Sequence, residues 1–143
     1  MRQLLSLAFL ALCAIGVSAQ QWQTDFDSAS ALAKKEGKKL IMVFQGSDWC
    51  APCMKLDHEI ISQEQFVTIA NAEFVLLQVD FPRRKKNALS AEQTAQNKRL
   101  ASMYNPNGIF PLVVVFDSNG KKLGELGYEK TTPDQYANKI TQL

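Results

Sequence analysis

Three short apolar runs constrain this chain more than any other feature: Lys39 to Phe44 (KLIMVF), Glu73 to Asp80 (EFVLLQVD) and Leu112 to Phe116 (LVVVF). Each is too short for a buried helix, so each reads as a β-strand covered on both faces. Such strands need helices above and below them, and the intervening segments supply these. Asp27 to Glu36 (DSASALAKKE), with Asp27 as N-cap and Gly37 as a stop, predicts a helix. A second helix begins near Cys50, and Ser62-Gln63-Glu64-Gln65 has the form of a capping box opening a further turn or two through Ala70. Ser90-Ala91-Glu92-Gln93 repeats that form ahead of a polar helix reaching about Tyr104, and Thr132-Pro133-Asp134-Gln135 starts a terminal helix. Asn105 to Gly108 is turn chemistry, and Asp117 to Gly120 (DSNG) is a tight turn into a fourth strand, Lys121 to Tyr128, paired back on the third. The order helix, strand, helix, strand, helix, hairpin, helix predicts an α/β domain, a parallel sheet wrapped by helices with an antiparallel pair at one end.

The first nineteen residues, MRQLLSLAFLALCAIGVSA, carry one early cation, Arg2, an apolar run from Leu4 to Val17 and a small-residue ending at Ala19. The run is shorter than the ~20 residues a membrane span wants, and reads as a cleaved secretory signal with the mature chain starting near Gln20. Cys13 lies inside it, preceded by Leu12 where a lipoprotein would need a small residue. Removing 19 of 143 residues leaves a 124-residue domain, 20–143, with a formal charge lowered from +2 to +1 and two cysteines, an even count for an exported protein. A charge so near balance gives no reason to expect nucleic acid or an anionic membrane as partner. The expected location is periplasmic or secreted, without stable membrane insertion.

The two remaining cysteines stand in Gly46-Ser47-Asp48-Trp49-Cys50-Ala51-Pro52-Cys53. A structural staple closing so short a loop restricts the unfolded chain by roughly 1.9 kcal/mol, against about 3 for a fifteen-residue loop, and a domain with three apolar strands hardly needs it. Structural zinc wants four ligands, whereas the mature chain offers no second cysteine pair and one histidine, His58. Redox chemistry uses every neighbour. Only a thiolate attacks a disulfide, and a thiol of pKa ~8.5 is about 3% ionised at pH 7. A helix N-terminus directs unpaired N–H groups and partial positive charge at Cys50, favouring the anion. Cys50 would then attack a partner's disulfide and Cys53, one turn further in, resolve the mixed disulfide, with Pro52 stiffening the loop in the first helical turn.

These residues resemble the thioredoxin superfamily. Trp49-Cys50-Ala51-Pro52-Cys53 differs at one position from thioredoxin's Trp-Cys-Gly-Pro-Cys, Gly108-Ile109-Phe110-Pro111 resembles the family's Gly-X-X-Pro, and Gly127 stands where the family keeps a glycine beside its substrate groove. The likeness spans roughly Asp27 to Ile140. Within the superfamily, Gly46 to Cys50, Leu77 to Pro82 and Gly127-Tyr128 look closest to secreted bacterial thioredoxin-like proteins and are similar to the periplasmic carboxyl-terminal domain of the DsbD electron transporter. The resemblance implies a thioredoxin-like fold with a central mixed sheet flanked by helices, a cis Pro111, and a docking surface rimmed by Trp49, Phe110, Pro111, Gly127 and Tyr128, with Ala51 and Pro52 forming the active-site loop.

The chain departs from the family where proton transfer is concerned. Thioredoxin's buried aspartate and its lysine on the next strand fall here in Met42-Val43-Phe44 and Val75-Leu76-Leu77, all apolar. Asp48, Asp57, Glu59 or water would have to stand in, and a carboxylate at Asp48 would oppose thiolate formation at Cys50. The family's Pro-Thr is Pro111-Leu112 here. Arg83, Arg84, Lys85 and Lys86 read as a solvated loop, with steering of an acidic partner as the functional alternative. His58 reads as a surface or helix-packing residue.

The expected function is that of an exported thiol:disulfide oxidoreductase, a monomer exchanging electrons with protein disulfides through Cys50 and Cys53. A reducing direction is favoured, with electrons drawn from a membrane partner. No cofactor is expected, since the two thiols carry the chemistry. The alternatives are a disulfide oxidase or isomerase, or a non-enzymatic Cu(I) carrier using the same thiols with Met54 or His58.

Overall fold

The computed structural model describes residues 19–143, so the expected leader, apart from Ala19, lies outside the described residues. A five-stranded mixed sheet runs in the order β1-β3-β2-β4-β5. Its strands are β1 (Trp22–Gln23), β2 (Lys39–Gln45), β3 (Phe74–Asp80), β4 (Leu112–Phe116) and β5 (Lys122–Leu126). Five α-helices accompany them: α1 (Phe26–Glu36), α2 (Ala51–Leu56), α3 (Glu64–Glu73), α4 (Ala91–Tyr104) and α5 (Pro133–Thr141). β1 and β2 run parallel to β3, while β4 is antiparallel to β2 and β5 antiparallel to β4. Antiparallel pairing therefore begins one strand earlier than the alternation of elements predicts.

The three apolar runs are continuous because their strands pack on both faces. On one face Ile41, Val43, Leu76, Val113 and Val115 meet side chains of α2, α3 and α5. On the other, Leu40, Met42, Phe44, Leu77, Val79 and Val114 meet Ala29 and Ala33 of α1 and Leu100 of α4. β1 was not expected, since two residues carry no periodic signal. It adds to the free edge of β3, pairing Trp22 with Leu76.

The capping expectations divide. Ser90 and Thr132 accept the Gln93 and Gln135 N–H groups at 3.1 and 3.4 Å. Asp25, rather than Asp27, caps α1, accepting the Ser28 N–H at 2.8 Å. Gly37 closes that helix in the left-handed conformation at φ 65°. Ser62 does not cap α3. A π-helical turn, Asp57–Ile61, follows α2, and the Ser62 hydroxyl donates to Asp57 Oδ1 at 2.8 Å. α3 starts after Gln63 with no side-chain cap.

Tyr136 of α5 is fully buried, and its hydroxyl donates to the Gly127 carbonyl at 2.9 Å, fixing the chain just beyond β5. Burial pushes its phenol well above the usual range, so it is a neutral donor at any pH the fold meets. Tyr136→Phe leaves that carbonyl short of a donor and should cost about 1 kcal/mol, whereas Tyr136→Ala opens a cavity and should cost about 3–5 kcal/mol. Urea unfolding of the oxidised protein measures both, and equal losses would show that the hydroxyl, not the ring, carries the residue's contribution.

Candidate active site

The end of β2 delivers the cysteine pair. Cys50 is the N-cap of α2, with extended φ and ψ of −96° and 98°, and its Sγ accepts the Cys53 N–H at 3.3 Å. The two form a disulfide, Cα to Cα 5.2 Å. Only 4% of Cys50 and 5% of Cys53 is exposed, so little of the disulfide is open to attack. Ala51 and Pro52, by contrast, are exposed in the first turn of α2, where proline has no N–H to forfeit.

Trp49 is held from three sides. Its Nε1–H donates to the Phe81 carbonyl at 2.7 Å, its ring meets Phe110 edge-on at 5.4 Å, and the Arg83 guanidinium lies 3.8 Å from the ring centroid. Phe81 in turn meets Phe110 edge-on at 5.6 Å. A Cβ on Gly46 would fall 2.2 Å from the indole, so the tryptophan can fold back across this position because it is glycine.

The Phe110–Pro111 peptide is cis, as the resemblance implies. Asn105, 4% exposed, clamps the approach to it, donating Nδ2–H to the Ile109 carbonyl at 2.8 Å and accepting the Ile109 N–H at 2.9 Å. From the sequence Asn105 was only a turn residue. Gly127 lies beside Pro111, where a Cβ would come 4.0 Å from the proline carbonyl. Tyr128 parts company with the others. It packs on the core beneath α2 and α3, and its hydroxyl donates to Glu59 Oε2, which raises the phenol pKa. Phe110 packs on the opposite face.

Two carboxylates tie the redox turn to the end of β3 and to the segment after it. Asp80 accepts the Ser47 N–H at 2.9 Å and the Ser47 hydroxyl at 2.6 Å. Asp48 accepts the Arg83 and Arg84 N–H groups at 2.9 and 3.0 Å and the Asn87 amide at 2.9 Å. These donors, the Arg83 N–H foremost, hold the Asp48 carboxyl down at about 2. Asp48 is therefore turned to the loop and stays ionised down to about pH 2.

Beside Cys53 opens a cavity of about 220 Å³ whose walls include Trp22, Gln45, Gln78 and Asp57. Phe44, Leu76 and Leu77, in the stretches where thioredoxin keeps its acid and base, are buried and apolar. Of the three carboxylates considered from the sequence, Asp57 shares the cavity with Cys53, Asp48 serves the loop and Glu59 meets Tyr128. His58 and Met54 are exposed, and no group of three or more His, Cys, Asp or Glu side chains among the described residues is placed to hold a metal ion.

A sequence model of the thioredoxin-like domain matches residues 26–143. The chain is 32% identical over 126 residues to the disulfide bond reductase DsbH of Chlamydia pneumoniae, covering 88% of this chain and 74% of that protein. A solved structure of a DsbH oxidoreductase superposes with a TM-score of 0.81 at 27% identity, over 99% of this chain and 93% of the other. The carboxyl-terminal domain of DsbD from Neisseria meningitidis, in reduced form, gives a TM-score of 0.55 at 20% identity, over 85% and 98%, a likeness of fold.

The Asp48 anchor predicts local behaviour that can be measured. Its folded pKa lies below the unfolded value, so the anchor is fully present above about pH 4 and is lost as pH falls through about 2. Asp48→Ala should raise amide exchange at Arg83 and Arg84 by about tenfold or more while leaving β2 and β3 protected. Unchanged exchange at those two amides would show that Trp49 and Asp80 hold the loop without it.

Proposed function

Since the chain belongs to the thioredoxin-like family and is a thiol:disulfide oxidoreductase, we propose that it is exported by its leader and works as a reductase of protein disulfides. The observation that carries the chemistry is the Cys50–Cys53 disulfide at the start of α2, with the cis Phe110–Pro111 peptide at the same end of the sheet. The similarity to a protein named as a disulfide bond reductase supports the direction. Among the described residues no helix is long and apolar enough to cross a membrane.

In this reading the reduced protein offers Cys50 as a thiolate, favoured by the N–H groups of α2. Its sulfur attacks one sulfur of the partner's disulfide, a mixed disulfide forms, and the partner's other sulfur leaves as a thiolate and takes a proton. Cys53 then loses its proton and attacks Cys50 Sγ, restoring the internal disulfide and releasing the second partner thiol. Two electrons and two protons reach the partner in all. The proton of Cys53 leaves through water in the adjoining cavity, where Asp57 supplies a carboxylate and Gln45 and Gln78 supply amides. The partner lies extended along Phe110 and Pro111, with Trp49 and Gly127 on either side. A membrane partner returns the electrons, and the protein acts as a monomer.

Two measurements test this. Cys50→Ser should abolish turnover of a protein disulfide, and Cys53→Ser should stop at the mixed disulfide, trapped as a covalent adduct. Equilibration in glutathione buffer should place the couple near the thioredoxin value of about −270 mV; a value near −120 mV, that of a strong oxidant, would reverse the proposed direction.

A further inference from the structure

We propose that Arg83, Arg84, Lys85 and Lys86 form an acceptor surface for acidic polypeptide, so that the disulfides this protein meets lie in segments bearing Asp or Glu close to the reacting cysteine. This inference rests on the thiol:disulfide exchange reading and adds a substrate class to it.

The four side chains are consecutive and exposed, and none joins an ion pair among the described residues, whereas Lys38, Lys122 and Lys139 each hold a carboxylate. A loop whose cations serve only to solvate it needs no fixed position. This one is fixed at its base by the Arg83 and Arg84 N–H groups on Asp48, the Asn87 amide on the same carboxylate, and the Arg83 guanidinium over Trp49. Those attachments fall on the two residues that precede Cys50. Asp48 meets the cluster through backbone and amide N–H groups and forms no side-chain ion pair with it, so its single negative charge offsets only part of the four positive ones.

Position decides the consequence. At physiological salt, exposed charges act over about 8 Å, so only charges beside the reacting sulfur select among disulfides. The chain as a whole carries 16 cations against 14 anions, too even a balance to attract acidic partners by total charge. A preference is therefore set locally, and this cluster, attached to Asp48 and Trp49, is the longest run of cations in the chain.

The test uses the reduced full-length domain and three cyclic disulfide peptides alike except for flanking Glu-Glu, Ser-Ser or Lys-Lys. At about 0.02 M salt the Glu peptide should react about tenfold faster than the Ser peptide and the Lys peptide more slowly, with the differences collapsing at about 0.5 M. The Glu-to-Ser rate ratio, taken within each protein, cancels changes in thiol reactivity. In Arg84→Gln/Lys85→Gln/Lys86→Gln, which leaves Arg83 on Trp49, this ratio should fall by about threefold or more. In Lys34→Gln/Lys35→Gln, on the last turn of α1, it should hold. Equal rates for Glu and Ser peptides at low salt, or an unchanged ratio in the triple variant, overturn the inference while leaving the exchange reading intact. Failure to react with the Ser peptide as well would bring down both.

Discussion

Burial of β2 on both faces is the constraint from which the site follows. The strand lies between parallel β3 and antiparallel β4, and its register pairs Gln45 with Asp80 and Phe44 with Leu112. The residues just beyond β2 therefore leave the sheet where those beyond β3 also leave it, and where Pro111 enters β4. Gly46 to Cys50, Phe81 to Asn87 and Ile109 to Pro111 meet at one edge because three strands were brought into line by packing. A one-residue slip of β2 would exchange the side chains packed on its two faces and carry Gly46 to Cys50 out of line with Phe81 and Pro111, so the register of the core is also the register of the chemistry.

The polar contacts at that edge share one task. Asp80 holds Ser47, Asp48 holds the loop through two N–H groups and an amide, Asn105 holds Ile109, and the Trp49 N–H holds Phe81. None of these touches the cysteine sulfurs. Each instead fixes a loop that regular secondary structure has released, and together they set the geometry around the redox pair. Three donors face the Asp48 carboxylate and fix it toward the loop.

How far the sequence revealed this depended on the range of the interaction. The apolar runs, the Ser90 and Thr132 caps and the cysteine motif are local patterns, and they placed the main elements and the redox pair. The resemblance, resting on longer motifs, carried the cis Pro111 and the mixed sheet. What stayed hidden depends on distant partners. β1 is two residues that pair because β3 has a free edge, and Ser62 fails as a cap because the π-helical turn places its hydroxyl near Asp57. The donors that hold Asp48 lie 35 to 39 positions away, so its attachment to the loop is not legible in the local sequence. Tyr128 follows Gly127 in sequence, yet it packs on the face of the sheet opposite Phe110.

The substitution of apolar residues for thioredoxin's acid and base changes how the cysteines are expected to titrate. A buried carboxylate beside a buried thiol couples the two protons, and neither group then has a pKa of its own. Here Phe44 fills the interior, and the polar lining at Cys53 comes from Gln45 and Gln78, which lie on the same face of adjacent parallel strands and bear no charge. Amides can orient water and hold a hydrogen bond to a thiol or a thiolate, but they cannot compete with sulfur for a proton. The remaining carboxylate, Asp57, stands one helical turn beyond Cys53 and already accepts the Ser62 hydroxyl. The polar groups beside Cys53 therefore line the cavity, while Phe44, Leu76 and Leu77 leave the interior behind it without an acid or a base.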